Sequence, residues 1–61
     1  MKKVDEIYIK LGNMDLSMLA RSVINSADND TILLFDGMDE IEVELFCEEI
    51  SNDYYQKLLN S

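Results

Sequence analysis

The chain has 61 residues, 48% of them hydrophobic, and its 13 acidic and 5 basic side chains give a net charge of −8. This length and hydrophobic fraction suit one small globular domain, residues 1–61, rather than a disordered segment. The acidity disfavours direct binding to nucleic acids or anionic membranes, since both need Lys and Arg to neutralise phosphates, and no apolar run approaches the roughly 20 residues that span a bilayer. A single Cys47 and no His exclude an internal disulfide and a Cys/His zinc site, so we expect a reducing, cytoplasmic setting.

The sequence pattern of the first half of the chain predicts a strand followed by a helix. Val4–Leu11 alternates between apolar and polar side chains, the period-two pattern of a half-buried strand, and Gly12 ends it. Asp15 or Ser17 can then cap a helix. The apolar residues of this helix recur at spacings of three and four: Leu16, Leu19, Ala20, Val23, Ile24 and Ala27.

A second strand is expected at Thr31–Asp36, which is short and nearly all apolar, as strands inside parallel sheets are. The order strand, helix, strand implies a right-handed crossover between two parallel strands. Ile32 and Leu34 would then point away from the face that the helices cover. We therefore expect a homodimer that buries Ile32 and Leu34, because a two-stranded sheet is marginal alone and has open edges.

The last third of the chain permits two interpretations. Residues 40–46 alternate Glu with apolar side chains and could form a third strand. Helical spacing, however, extends to the end of the chain through Val43, Cys47, Ile50, Tyr54 and Leu58, and favours a helix in which Cys47 is an inert core residue. The sequence thus predicts an α/β fold, a minimal βαβα unit whose small parallel sheet is covered on one face by two helices, with the third strand as the alternative.

Residues 35–61 hold eight acidic side chains against one basic one, and so carry −7 of the net −8. Glu40/Glu44 and Glu44/Glu48 are like-charge pairs one helical turn apart, which should cost stability, so replacing these acids by Gln should leave the fold intact. Three interpretations are open: a solvated helix face, a surface that binds a basic partner protein, or a cation site. We favour the protein partner and expect no metal. The acids assigned to the partner surface are Asp36, Asp39, Glu40, Glu42, Glu44, Glu48 and Glu49.

Tyr54 and Tyr55 are neighbours, so on a helix one should face the core and the other solvent. An outward Tyr55 suits an interface anchor as well as a lone exposed side chain. Catalysis is not expected, because no His or Lys stands near the carboxylates to complete a nucleophile and base, and so short a chain offers little room for a pocket. We expect neither a cofactor nor an enzyme.

One stretch has a family resemblance. An apolar run ends at Phe35-Asp36-Gly37-Met38, and Ile41 follows before the last helix. In this arrangement residues 31–50 resemble STAS-like domains, relatives of anti-sigma-factor antagonists. In the switching members of that family a Ser after an acidic residue is phosphorylated, whereas here Glu42 matches the acid and Val43 takes the Ser position. The resemblance implies a regulatory or oligomerisation module that switches partners without phosphorylation.

Compactness and one-sided acidity are also properties of the inhibitors that phages direct at nucleic-acid enzymes, such as anti-CRISPR and anti-restriction proteins. By that analogy we expect a non-catalytic inhibitor or modulator of a basic, nucleic-acid-binding protein, acting in the host cytoplasm if a phage encodes it. The STAS-like module is the alternative.

Overall fold

A computed structural model describes residues 2–61, which form four helices and, within that range, no β-strand. The helices are α1 (Lys3–Gly12), α2 (Met18–Ser26), α3 (Asn29–Leu33) and α4 (Glu40–Leu59). The expected α/β class is therefore wrong, as are its βαβα unit, its parallel sheet and the crossover between strands. Of the described residues, 73% are helical instead.

The first expected strand, Val4–Leu11, lies in α1. Ile7 and Leu11 are both buried, but this does not distinguish a helix from a strand. Residues four apart lie on the same face in either, because four residues make about one helical turn or two repeats of a strand. Ile9 decides between them: a strand would bury it with the other two, yet it is exposed, while Val4 packs against the core. α1 also places two acids in its first turn, where the positive end of the helix dipole favours them.

The helix predicted after Gly12 is confirmed as α2. Of the two candidate caps it uses Ser17, whose Oγ accepts the N–H of Ala20 over 3.1 Å. Ala20 and Ile24 are buried one turn apart, and Leu16 is buried just before the helix begins. Local sequence signals thus suffice here, because the cap and the apolar stripe agree.

The second expected strand, Thr31–Asp36, is the end of α3 and the turns that follow. Asp28 caps α3 by accepting the N–H of Thr31 over 2.9 Å. Ile32 and Phe35 are both buried, although they would lie on opposite faces of a strand; on a helix, residues three apart share a face. Gly37 then turns the chain into α4 with a φ of 80°, a conformation that other residues rarely adopt.

Residues 40–46, for which a third strand was the alternative, belong to α4. That alternative is therefore wrong, and the helical interpretation is confirmed. Asp39 caps it, with the N–H of Glu42 donating to Oδ1 over 2.8 Å. Val43 and Cys47 are fully buried, and Ile50 packs beside them. Beyond this point every residue from 52 onwards is exposed, so residues 52–59 form an arm of α4 that extends past the core.

One hydrophobic core joins the helices, with α1 against α3 and α2 against α4. The rings of Phe35 and Phe46, edge to face with centroids 5.2 Å apart, link the two pairs. Burial, and then the charge of Glu44, raise the pKa of the Cys47 thiol, which matches the expected inert core residue. The buried side chains are Ile7, Leu11, Leu16, Ala20, Ile24, Ile32, Phe35, Val43 and Cys47.

Candidate protein-interaction surface

Two of the acids assigned to a partner make contacts inside the chain. The Glu44 Oε1 accepts the N–H and the O–H of Ser17 over 3.2 and 2.9 Å. The Glu40 Oε1 accepts the N–H of Asp15 over 3.3 Å. Both carboxylates therefore reach from α4 to the segment that starts α2, which gives them a stabilising role that the like-charge spacing does not reveal.

Two more of the assigned acids have local partners. Asp39 is the cap of α4. Asp36 forms an ion pair with Lys3 of α1, with 3.4 Å between Oδ2 and Nζ, and both side chains are about half exposed. Such an exposed pair contributes little to stability. It does reduce the charge that Asp36 offers to another protein.

The side chains of the remaining three acids, Glu42, Glu48 and Glu49, are exposed and make no hydrogen bond or ion pair within residues 2–61. Successive helical residues are rotated by about 100°, so these three span roughly 120° on the side of α4 opposite Val43 and Cys47. They lie on the helix surface that points away from the core.

Two apolar side chains lie among these acids and were missed as candidate site residues. Ile41 and Leu45 are more than half exposed and one helical turn apart, within the sector that the three acids border. Their alternation with Glu fits a strand as well as a helix, so the sequence pattern alone does not mark them as one exposed helix face. We call this surface the outer face of α4: Ile41, Glu42, Leu45, Glu48 and Glu49.

Tyr54 and Tyr55 are both exposed, at 66% and 60%, so the expectation that one of them faces the core is wrong. The reason is that nothing covers α4 beyond Ile50 among the described residues. Tyr55 lies about 20° from Glu48 around the helix axis and two turns further on, so it continues the outer face. Tyr54 continues the buried stripe instead.

The two residues assigned to self-association are separated by the fold. Ile32 is 0% exposed inside the core of its own chain, whereas Leu34 is 59% exposed after the end of α3. The strand that was to align them does not form. The argument for a dimer through these two residues is thereby lost.

The depressions of the described surface include two next to α1. A cleft of about 150 Å³ between α1 and α2 is lined by Tyr8, Arg21 and Asn25 among others, and contains no carboxylate. Arg21 donates there to the carbonyl of Met14 over 2.8 Å. The second is a wide, open depression at the start of α1, near Asn29.

Within residues 2–61 no three acidic or thiol side chains converge to form a cation site. No helix in this range combines the length and the apolarity that crossing a membrane requires. The chain matches no protein-family model, and no curated protein or solved structure is significantly similar to it. The STAS-like resemblance of residues 31–50 stays a prediction from the sequence, while the strand implied at Thr31–Asp36 is helix and turn in the structure.

Proposed function

We propose that this chain is a small non-catalytic binding module whose outer face of α4 contacts a basic surface on another protein. The observation that supports the proposal is that the acidic side chains fall into two groups. Four of them have partners inside the chain, whereas the side chains of Glu42, Glu48 and Glu49 have none among residues 2–61. They border the sector of α4 that contains Ile41 and Leu45. An apolar centre bordered by charged side chains is the usual anatomy of a protein interface.

Electrostatics indicate which kind of partner fits. Residues 35–49 contain seven acids and no base, so their field repels acidic proteins and nucleic acids and steers basic surfaces towards α4. Basic surfaces of this kind are where proteins bind nucleic acids. The module therefore inhibits or modulates a nucleic-acid-binding protein by covering that surface, as some small phage proteins do, and we place it in the cytoplasm.

The cleft between α1 and α2 does not support a catalytic alternative, because it pairs no acid with a base and its Arg21 is engaged by a carbonyl. The sole thiol, Cys47, is buried with a raised pKa and is therefore a poor nucleophile. No specific contact favours the STAS-like alternative.

The test is a pair of charge-matched triple variants. Glu42→Gln, Glu48→Gln and Glu49→Gln remove three charges from the outer face, and none of these side chains makes a bond that the fold needs. The control removes three exposed charges elsewhere: Asp5→Asn, Glu6→Gln and Asp30→Asn. After affinity capture of the partner with the parent chain, association rates are measured by surface plasmon resonance.

We expect the outer-face variant to associate at least about tenfold more slowly, with a weaker salt dependence, and the control to stay near the parent rate. Replacing Ile41 and Leu45 by Gln should instead speed dissociation, because apolar anchors act after docking. Equal losses in both charge variants would show that net charge alone matters. That result would contradict the assignment of the outer face.

A further inference from the structure

The buried stripe of α4 continues beyond the part of the chain that covers it. Val43, Cys47 and Ile50 pack on the core, and the same helical spacing leads to Tyr54 and Leu58. These last two side chains are 66% and 55% exposed. A core-type stripe thus lies uncovered on the arm, on a different side of α4 from the outer face.

Charge distinguishes the arm from the rest of α4. Residues 50–61 contain one acid, Asp53, and one base, Lys57, whereas residues 35–49 contain seven acids and no base. A second copy of this chain would be repelled by the acidic segment but not by the neutral arm. The arm is therefore where two molecules of net charge −8 can approach each other.

We infer that the arm is a self-association surface, on which α4 of a second copy packs antiparallel about a twofold axis near residue 56. In this register Tyr54 of each copy meets Leu58 of the other. The acidic segments of the two copies then lie at opposite ends of the pair. A parallel arrangement would place them side by side.

The flanking charges select the same orientation. Asp53 and Lys57 lie on the same flank of the stripe, about 40° apart around the helix. When two copies of a helix pack antiparallel, the same flank of each helix faces that of the other. Asp53 of one copy then comes within about one turn of Lys57 of the other, and the twofold axis produces this contact twice in the dimer. In parallel helices each flank faces the opposite one, and this match is lost.

The contact is small. A few side chains of this size bury roughly 600–800 Å² of surface in total. Stable complexes bury at least about 1,200 Å², so we expect micromolar affinity. The association is independent of the proposed partner surface. It would display two outer faces pointing away from the shared stripe.

Sedimentation velocity of the full chain, from about 5 to about 500 µM, tests the inference. We expect a concentration-dependent shift from monomer to dimer that is lost in the double variant Tyr54→Gln and Leu58→Gln. The matched control, Ile41→Gln and Leu45→Gln, removes two exposed apolar side chains from the outer face and should dimerise like the parent. All four positions are exposed, and circular dichroism verifies that each variant keeps its helices.

Orientation is tested by mixing charge variants. Asp53→Lys and Lys57→Asp each place like charges opposite one another, and each should weaken self-association about 3- to 10-fold, whereas an equimolar mixture should form a mixed dimer of about parental strength. A strictly monomeric parent at 500 µM, which would leave the stripe to a different protein, overturns the inference. So does a dimer abolished by the outer-face control but not by the arm variant. A mixture that associates no better than its components overturns the antiparallel register.

Discussion

Ser17 is the residue at which two helices meet. Its Oγ accepts the N–H of Ala20 at the start of α2, while its own N–H and O–H donate to Glu44 of α4. α2 has no acid in its first turn, so Glu44 supplies from another helix the negative charge that the positive end of α2 favours. An acid that is repelled by its neighbours within α4 thereby stabilises the contact between α2 and α4.

Glu44→Ala should lower the free energy of unfolding by about 1 kcal/mol, because the donors at the start of α2 lose a charged acceptor. The matched control is Glu48→Ala, on the same helix but without a partner among the described residues, which should change stability by less than about 0.5 kcal/mol. Urea unfolding followed by circular dichroism measures both. Equal effects would show that the Ser17 contact contributes nothing.

Among the elements, α3 depends most on its surroundings. With five residues it is too short to be stable alone, so it relies on its cap and on the burial of Ile32. The N–H of Thr31 donates to the Asp28 carboxylate, and this bond, together with the polar Thr31 side chain, lowers the pKa of that group below its ordinary value of 3.8. The ionised form of Asp28 is thus the one that caps α3.

This pKa shift predicts an acid-dependent contribution to stability. Because the folded pKa lies below the unfolded one, the contribution is present at pH values above the unfolded pKa and is lost as the pH falls through the folded pKa. Titration of the Asp28 carboxyl carbon by NMR should give a midpoint below 3.8. In Asp28→Asn, which retains a capping oxygen but cannot ionise, this part of the pH dependence should disappear. A midpoint at or above 3.8 would contradict the cap.

For the molecule as a whole, one small core holds every helix. A chain of this size buries only about 60% of the surface that its unfolded form exposes, so its stability is marginal. Ile32, Val43 and Cys47 are the largest fully buried side chains, and they come from both helix pairs. Losing one of them affects the packing of α1 with α3 and of α2 with α4 together.

Ile32→Ala should therefore cost about 2–5 kcal/mol, enough to unfold much of the protein at 25 °C, whereas Leu34→Ala, at an exposed position, should cost less than about 0.5 kcal/mol. Thermal unfolding of both variants gives the comparison. A strand at Thr31–Asp36 would place the two side chains on the same face and make their costs similar. Similar costs would count against α3.

Local signals in the sequence determined α2, favoured the helical interpretation of α4 and predicted the burial of Cys47. In α2 a candidate cap, Asp15 or Ser17, and the apolar spacing point to the same structure, and in α4 the apolar spacing extends far enough to favour a helix, so no distant contact is needed to choose either element. The imbalance of charge on α4 is likewise a property of the sequence. It is the basis for proposing a binding surface on that helix, but it does not distinguish the acids that have partners inside the chain from those that do not.

Only the tertiary structure decided the rest. Val4–Leu11 and Thr31–Asp36 are short apolar segments that fit a strand as well as a helix, and the choice depends on which side chains the remaining core covers: Ile9 stays outside, while Ile32 and Phe35 are covered together. The roles of Glu40 and Glu44 depend on Asp15 and Ser17, which are 25 and 27 residues away in sequence. A carboxylate becomes structural or free according to what folding brings beside it, and spacing along one helix does not contain that information.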